Sequence, residues 1–595
     1  MKQIAIAAFV VAAGAAGAQE AADAVAPELA TGGSFEALSP EVAAALQTKE
    51  AGQPVEAKNW MIAAANPHAV SAGAEILRAG GTAADAMVAV QVVLGLVEPQ
   101  SSGLGGGAFL VWYDAASGEI TTLDGRETAP LAATPRLFQD ESGAPLKFYD
   151  AVVGGRSVGT PGTPALLEAA HRRWGRANWP SLFEAGIDLA ENGFSVSPRL
   201  AGLIERDADR LSRFRATADY FLPGGAPLQT GDRLLNPAYA DVLRTLATEG
   251  AAGFYTGPLA ADIVRTVTTA EGNPGVLSAV DLALYQVKER PAVCAEYRAF
   301  DICGMGPPSS GALTVGQILG MLGQYDLAAL GAENSEAWRL IGDASRLAFA
   351  DRGRYMADSD FVPMPTKGLV DPAYLAERAK LLAGDDALPE VAPGAPEFDH
   401  AGVVHWADDA SIEFPSTSHI SIVDGYGNVL SMTTTIENGF GSRLMTNGFL
   451  LNNELTDFSF RTHRDGVPIA NRLEPGKRPR SSMAPTIVMQ DGKPVLAIGS
   501  PGGSRIIGYV AKTIIAWADW GMNVQQAVAL PHAVNRFGTY DLEEGTGATA
   551  LAEPLEAMGY KVNQRDLTSG LHAIEIGSVL KGGADPRREG IALGE

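Results

Sequence analysis

The chain has 595 residues, of which 46% are hydrophobic and 19% charged, a composition that excludes wholesale disorder and indicates a sizeable folded core. Its 68 glycines and 36 prolines favour a loop-rich body over a helical bundle or a coiled coil. The formal net charge of −24 argues against nucleic-acid binding, because such binding needs a cationic surface to displace counterions.

The first 18 residues have the pattern of an export signal. Lys2 precedes an apolar stretch at 4–13, and the small residues at 16–18 match the cleavage rule of signal peptidases. We therefore predict a signal peptide over 1–18 and a periplasmic or secreted protein. Since no other uncharged run reaches about 18 apolar residues, we expect no membrane span. Residues 19–57, rich in Ala, Glu and Pro, are expected to form a mobile leader.

The fold is predicted to begin with a strand at 60–65. Apolar residues at helical spacing then predict a helix over Pro67–Arg78, and Thr82 can cap a second helix whose body, 86–97, is apolar on nearly all faces. A helix of that kind is buried between layers. The later pattern predicts strands near 108–113 and 120–123, mainly helices over 160–380, and a boundary over 385–416.

Nucleotide and metal sites are not indicated. The glycine-rich run at 103–107 follows a helix and has Ala108 where a dinucleotide-binding motif needs glycine, so we expect it to line the floor of a site or to permit close packing. The histidines lack the spacing of metal ligands, and we predict no catalytic metal. Cys294 and Cys303 flank a predicted hairpin at 295–302, and they either form a cross-strand disulfide or are two unrelated buried thiols.

Residues 417–436, TSHISIVDGYGNVLSMTTTI, predict a β-hairpin around the turn cluster at 424–428. A turn centred near 426 or 427 puts Thr417 opposite Ile436, with Thr435 beside it; a register change of one residue puts Thr435 directly opposite. The hairpin thus brings two threonine hydroxyls toward each other. On composition alone, both threonines are ordinary strand residues.

At this hairpin the sequence resembles the γ-glutamyltranspeptidases, or glutathione hydrolases, a family of N-terminal-nucleophile hydrolases. Thr417-Ser418-His419 is similar to the start of that family's small subunit. Eight further motifs recur in the family's order from residue 103 onward: 103–107, 124–130, 307–311, 450–453, 457–458, 477–479, 481–483 and 501–504. The resemblance implies a mixed α/β (α+β) fold, a four-layer αββα sandwich shared by two self-cleaved subunits.

The resemblance further implies self-cleavage between Ser416 and Thr417, giving a large subunit that is folded over 58–416 and a small catalytic subunit, 417–595, as a heterodimer. Cleavage frees the Thr417 α-amine, whose ordinary pKa of about 7.7–8.0 suits it to accept the hydroxyl proton. Thr417 would take the γ-glutamyl group of glutathione or a related amide as an ester. It would then pass that group to water, an amino acid or a peptide, and no cofactor is required.

The same resemblance assigns the other site residues. Thr435 would orient Thr417, and the backbone N–H groups of Gly502 and Gly503 would stabilise the oxyanion. The substrate contacts are Arg126 for the carboxylate, Asp457 for the ammonium, helped by Glu437 and Glu454, and hydroxyls from Ser481 and Ser482. Without the family's motifs, the residue types alone favour structural roles: a salt bridge for Arg126, a tight turn at 502–503 and a packed core histidine at His419.

The sequence differs from the family pattern in two features, and it leaves two rival functions open. Many transpeptidases carry Asn at the position of Glu437, so an acid there alters the grip on the ammonium. The segment between Asp457 and Ser481 is short and contains no Tyr, so we expect no full lid over the site. The rivals are a glutaryl-type β-lactam acylase of the same superfamily and a non-catalytic exported binding protein.

Overall fold

The computed structural model describes residues 39–398, 405–409, 411, 413–414 and 416–595. Two seven-stranded antiparallel sheets form its centre. The first, here called the hairpin sheet, has the strand order Ile591–Gly594, Met61–Ala64, Thr417–Val423, Val429–Thr435, Gly107–Tyr113, Ile120–Gly125 and Lys288–Arg290. The second, the partner sheet, has the order Val55–Ala57, Leu580–Ala584, His572–Glu575, Lys493–Gly499, Thr486–Gln490, Phe300–Gly304 and Val293–Tyr297.

The two sheets pack face to face, and the predicted hairpin lies in the middle of the first. Side chains from both sheets form a shared apolar core that includes Met61, Val111, Val429, Ile487 and Ile574. Every residue of Thr417–Val423 and Val429–Thr435 is buried, since both faces of these strands are covered. Both strands alternate: Ile420, Ile422, Leu430 and Met432 join the core beneath the helices, whereas Ser421 and Ser431 donate to carbonyls of the partner sheet.

Helices cover the outer face of each sheet. Pro67–Arg78 and Ala83–Val97 pack on the hairpin sheet, whereas Gly311–Leu322 and Ile506–Ala518 pack on the partner sheet. Ser335–Tyr355 packs on Gly311–Leu322. The result is a helix–sheet–sheet–helix sandwich, which confirms the predicted four-layer αββα architecture. Local sequence explains the helix starts, because the Asn66 side chain caps the first helix and Thr82 forms a capping box with Asp85.

The remaining elements surround this sandwich. The other helices are Pro40–Glu50, Phe148–Val152, Thr163–Trp174, Glu184–Asn192, Pro198–Leu211, Arg215–Phe221, Pro237–Glu249, Ala252–Tyr255, Gly257–Thr268, Ala279–Ala283, Leu327–Leu330, Pro372–Ala379, Val524–Ala529 and Ala552–Ala557. Short strands pair as Phe194–Ser195 with Arg233–Leu234, Met445–Thr446 with Phe449–Leu450, and His463–Arg464 with Val467–Pro468. A three-stranded sheet contains Ala533–Asn535, Thr539–Glu543 and Lys561–Arg565.

The expected mobile leader needs correction over its described part. Pro40–Glu50 is a helix, and Val55–Ala57 pairs with the edge strand Leu580–Ala584 of the partner sheet. The Lys49 ammonium donates to the backbone carbonyls of Arg588 and Gly590, at 2.6 and 2.7 Å, and so attaches the helix to the body. Tertiary contacts therefore override a weak local pattern. The predicted signal peptide, 1–18, and residues 19–38 lie outside the described residues.

Two further predictions have clear outcomes. Cys294 lies opposite Cys303 on paired strands and forms a disulfide with it, so the cross-strand alternative is the correct one. In the part of the chain that the structure describes, no helix combines the length and the apolar character needed to cross a membrane.

Candidate active site around Thr417

The hairpin register places the two predicted threonines directly opposite each other. Thr417 pairs with Thr435, so the register is the one-residue alternative and not the pairing with Ile436. Their hydroxyl oxygens are 3.3 Å apart. The turn is tightened by Asp424, whose carboxylate accepts from the backbone N–H groups of Tyr426 and Asn428, and this centres the turn on residue 426.

Thr435 contacts both the hydroxyl of Thr417, the proposed nucleophile, and the carbonyl group of Ser416 that this hydroxyl would attack. Its hydroxyl donates to the carbonyl oxygen of Ser416 at 2.9 Å and accepts from the backbone N–H of Glu437 at 2.9 Å. Because a threonine hydroxyl has one proton, the Thr417 hydroxyl is then the donor in the contact between the two threonines. The Arg588 guanidinium donates to the Thr417 carbonyl at 3.0 Å and holds the other side of the bond.

These groups open into a small cavity. It is lined by Arg126, Glu413, Phe414, Thr417, Thr435, Glu437, Glu454, Asp457, Ser481, Ser482, Met483, Gly503 and Ile506. All six predicted substrate-binding residues are among these, as are both threonines and Gly503. Two predicted site residues, Ser416 and Gly502, are not part of the lining, although each immediately precedes a residue that is. Residues 459–480 do not line the cavity; within them, the hairpin of His463–Arg464 and Val467–Pro468 is partly exposed.

Arg126 is at the centre of a buried acidic cluster. Its guanidinium forms ion pairs with Glu454 and Asp457 and donates to the backbone carbonyls of Pro479 and Arg480. One oxygen of each carboxylate, Glu454 Oε2 and Asp457 Oδ1, is buried without a hydrogen-bond partner in the described structure. Buried carboxylate oxygens of this kind are strong acceptors for a cationic donor such as an ammonium group.

The electrostatics of this cluster follow from burial. Burial lowers the pKa of Arg126, but the charges of Glu454 and Asp457 outweigh it and raise that pKa above its ordinary value. Burial also raises the pKa of Glu454 and of Asp457 well above the usual range, although the Arg126 charge opposes the rise. The adjacent Glu127 is affected in the same way, with its pKa raised by burial to about 8. The site therefore contains more buried acid than Arg126 neutralises.

Glu437 bridges the hairpin and this cluster. It has a φ of +77°, a conformation that non-glycine residues adopt rarely and that is common at functional sites. Its carboxylate accepts from the side chain of Asn453 and from the backbone N–H of Phe414 at 3.1 Å. Burial, followed by the charge of Asp457, raises the pKa of Glu437 well above its ordinary value.

The segment before Thr417 occupies part of the cavity. The backbone N–H of Ser504 donates to the Glu413 carbonyl at 3.2 Å. Gly503, with a φ of +57°, approaches so closely that a Cβ there would lie 2.5 Å from the same oxygen and 2.6 Å from the Phe414 carbonyl carbon. Glycine is therefore required at 503 by both conformation and contact.

Two serines line the cavity, and an arginine lies behind one of them. The Ser482 hydroxyl accepts from the Arg352 guanidinium at 2.8 Å, whereas the Ser481 hydroxyl accepts from the backbone N–H of Met483 at 3.1 Å. Arg352 also pairs with the Glu413 carboxylate. Sequence reasoning did not find Arg352, Glu413 or Phe414, because no motif marks them.

The glycine-rich run serves close packing, one of the two roles expected for it. A Cβ on Gly106 would lie 2.0 Å from the Thr435 carbonyl oxygen, and one on Gly105 would lie 2.1 Å from that of Leu450. The run therefore lets the chain pass directly behind the hairpin. His419 is fully buried, and its ring nitrogens form hydrogen bonds with the hydroxyls of Thr433 and Ser421, as expected for a packed core histidine. Among the described residues, no group of three or more potential ligands is arranged to hold a metal ion.

A family model described as gamma-glutamyltranspeptidase matches residues 69–595. The chain belongs to this family. It is 37% identical over 551 residues to the glutathione hydrolase proenzyme of Bacillus subtilis strain 168, with 90% of this chain and 92% of that protein covered. It is also 34% identical over 549 residues to the acylase ACY 1 proenzyme of Pseudomonas sp. strain V22, with 90% and 94% covered.

Two solved enzyme structures are similar to the structure of this chain. The cephalosporin acylase from Bacillus halodurans has a TM-score of 0.79 at 25% identity, covering 91% of this chain and 97% of that one. The Helicobacter pylori gamma-glutamyltranspeptidase has a TM-score of 0.54 at 35% identity, covering 57% of this chain and 96% of that one. Membership of the gamma-glutamyltranspeptidase family thus agrees with the architecture as well as with the sequence.

Proposed function

We propose that this gamma-glutamyltranspeptidase is a self-cleaving precursor in which Thr417 becomes the nucleophile for γ-glutamyl transfer to water, an amino acid or a peptide. The observation that carries the proposal is the contact of Thr435 with both the Thr417 hydroxyl and the Ser416 carbonyl, at the wall of a cavity lined by Arg126 and buried acids. The geometry supports two successive reactions at one hydroxyl.

The first reaction cleaves the chain. The Thr417 oxygen bonds to the Ser416 carbonyl carbon, the Ser416–Thr417 C–N bond breaks, and the released amine takes up the proton. Thr435 donates to the carbonyl oxygen and stabilises the charge that develops there. Water then hydrolyses the ester, which leaves Ser416 with a carboxylate and Thr417 with a free hydroxyl and a free α-amine. That amine can accept the hydroxyl proton in the next reaction, which the amide of the intact chain cannot do.

The second reaction acts on the substrate. The Thr417 oxygen attacks the γ-carbonyl carbon, the amide C–N bond breaks, and the amine product leaves with the proton. Gly502 and Gly503 are proposed to supply backbone N–H groups to the oxyanion. The close contact of Gly503 with the backbone of Glu413 and Phe414 supports this role, because a substrate carbonyl could approach Gly503 equally closely. The γ-glutamyl ester is then transferred to water or to an amine, and this chemistry requires no cofactor.

The charges of the cavity match a free α-amino acid end. Arg126 can bind the α-carboxylate, helped by the hydroxyls of Ser481 and Ser482. The unpartnered oxygens of Asp457 and Glu454 can accept from the α-ammonium, with Glu437 nearby. Glutathione and related γ-glutamyl amides present these two groups together, so we propose them as substrates.

The rival activity, removal of a glutaryl group, differs by a single feature of the substrate. A glutaryl amide has the same chain length and carboxylate as a γ-glutamyl amide but lacks the ammonium. An acylase site for it would gain nothing from several buried carboxylates, because an unpaired buried charge is costly. The acidic cluster of Glu437, Glu454 and Asp457 therefore favours the γ-glutamyl substrate.

The deciding experiment compares γ-glutamyl-4-nitroanilide with glutaryl-4-nitroanilide, using the purified protein and a Thr417→Ala variant as control. We expect release of nitroaniline from the γ-glutamyl compound at a kcat/KM at least tenfold higher, and none from the variant. A preference for the glutaryl compound would establish the acylase. Activity toward neither compound, with the chain intact, would favour the non-catalytic binding protein.

We also propose that the two fragments remain together as a heterodimer and that the protein is exported. The strands before and after Thr417 interleave in both sheets, so separation of the fragments would expose the shared core. Export is supported by the signal pattern at 1–18 and by the disulfide between Cys294 and Cys303, since disulfides persist in oxidising compartments. An N-terminal sequence starting at Met1 in the purified protein would contradict removal of the signal.

A further inference from the structure

A second group of cationic side chains lies beside the cavity, and it binds a carboxylate of the protein itself. The carboxylate of Glu413 pairs with the Arg352 guanidinium, and the Nε of Arg480 lies 3.8 Å from the same carboxylate oxygen. All three side chains are at most 6% exposed. Two buried guanidiniums close to one carboxylate form an anion-binding arrangement.

Groups outside the segment before the cleavage site help to hold the arginines in place, although the Arg480 side chain also donates to Asp409 and Ser411 within that segment. Arg352 donates to the hydroxyls of Ser310 and Ser482, each at 2.8 Å. Arg480 is anchored through its backbone, since its N–H donates to Asn471 at 3.0 Å and its carbonyl accepts from Arg126 at 2.9 Å. Burial and the neighbouring Arg480 charge lower the pKa of Arg352 to about 10, as expected for cations that lie close together.

Glu413, by contrast, must leave for the enzyme to work. It lies four residues before Thr417, and with Phe414 it lines the cavity that the substrate has to enter. Self-cleavage makes it part of a free chain end. Once this end moves out, Arg352 has no carboxylate partner among the described residues, and Arg480 keeps Asp409 at 3.0 Å. Two buried guanidiniums that keep a single carboxylate partner, Asp409 on Arg480, favour the entry of another anion.

We propose that Arg352 and Arg480 form a second carboxylate subsite, which Glu413 fills before cleavage and a carboxylate on the amine portion of the substrate fills afterwards. This inference rests on the proposed function. Glutathione has one ammonium and two carboxylates, one on the glutamyl portion and one on the portion that leaves. The acids for the ammonium and Arg126 for the first carboxylate line the cavity. The Arg352–Arg480 pair for the second carboxylate lies behind Glu413, which lines the cavity and contacts both arginines.

The subsite can be tested with two chromogenic donors that differ by one group, γ-glutamyl-3-carboxy-4-nitroanilide and γ-glutamyl-4-nitroanilide. The measured quantity is the ratio of their kcat/KM values, carboxylated to neutral, which cancels any general loss of activity. We expect a ratio above one in the parent enzyme and a fall of about tenfold in Arg480→Gln, with Arg480→Lys in between. As a matched control, Arg215→Gln removes an exposed guanidinium and should leave the ratio unchanged.

The outcomes separate this inference from the proposed function. A parent enzyme that cleaves neither donor refutes the proposed function. An active parent whose ratio is at or below one overturns the subsite, and this measurement requires no variant. An unchanged ratio in a processed Arg480→Gln enzyme also overturns it. A third donor, 4-aminobutyryl-4-nitroanilide, lacks the α-carboxylate of the glutamyl group and keeps its ammonium. If Arg480→Gln reduces the advantage of γ-glutamyl-4-nitroanilide over this donor instead, the pair binds the glutamyl carboxylate and the proposal is wrong.

Discussion

The hydroxyl of Thr435 donates to the carbonyl oxygen of Ser416, while the hydroxyl of Thr417 lies 3.3 Å from it. One strand residue thus holds both the group that attacks and the bond that is attacked. This relationship depends on the hairpin register, in which Thr417 and Thr435 are directly opposite. A register shift of one residue would turn every side chain of one strand to the other face.

Replacing Thr435 by Ala should slow self-cleavage by roughly a hundredfold, because loss of a donor to a developing oxyanion costs about that much. Thr435→Ser keeps the hydroxyl and should cleave at a rate near that of the parent. The rate is measured by gel electrophoresis of freshly purified precursor. Equal rates in the Ala and Ser variants and the parent would show that the hydroxyl has no part in cleavage.

Arg126→Lys should lower kcat/KM for a γ-glutamyl donor by roughly a hundredfold, mainly through KM, because an ammonium cannot form the two parallel hydrogen bonds of a guanidinium. Arg290→Lys is the matched control: it is also buried and paired with an aspartate, but it does not line the cavity. If a folded Arg126→Lys enzyme has the same KM as the parent, Arg126 forms only a structural salt bridge.

Glu437→Gln should change the pH dependence of stability in the uncleaved Thr417→Ala background. Burial raises the pKa of Glu437 in the folded state, so the folded chain holds this proton more tightly than the unfolded chain does. The contribution of Glu437 is therefore most favourable below its unfolded pKa and is lost as pH rises. The Tm of the Glu437→Gln variant, relative to the Thr417→Ala protein that keeps Glu437, should therefore increase from pH 5 to pH 8.

Calorimetry at both pH values measures this difference. Glu271→Gln replaces an exposed carboxylate and provides the control. A Tm difference for Glu437→Gln that shrinks with rising pH would contradict the direction of the pKa shift.

Replacing both Cys294 and Cys303 by Ser should destabilise the protein by about 2 kcal/mol, as expected for a crosslink that closes a short loop. The two cysteines are nine positions apart, and each is on one strand of a hairpin at the edge of the partner sheet. Denaturant titration of the parent with and without a reducing agent should give the same difference. Detection of two free thiols in the unreduced, denatured parent would refute the disulfide.

The sequence was sufficient to predict the hairpin and the helix Pro67–Arg78. Pro67–Arg78 was predicted with its observed bounds, because its apolar periodicity and the glycines after it are local signals. The register was open by one residue, because it depends on how Asp424 folds the turn. The helix Pro40–Glu50 was missed, since only Val42 and Ala45 in it are buried and no periodic pattern marks it.

Arg352 and Arg480 could not be predicted as neighbours of the site. Arg352 is on the helix Ser335–Tyr355, whose pattern indicates a buried face but not which residue contacts the cavity wall. The contact with Ser482 arises only when this helix packs on the helix Gly311–Leu322. The same holds for Glu413, because the chain before Thr417 has no periodicity that would reveal its path.

The central claim is that Thr417 becomes an N-terminal nucleophile, and the intact mass of the purified protein with its N-terminal sequence tests this most directly. The account predicts two fragments that copurify, one of which begins at Thr417. It also predicts that the Thr417→Ala variant stays as one chain. A parent protein that remains uncleaved under mild conditions, or that is cut at a different bond, would contradict the account.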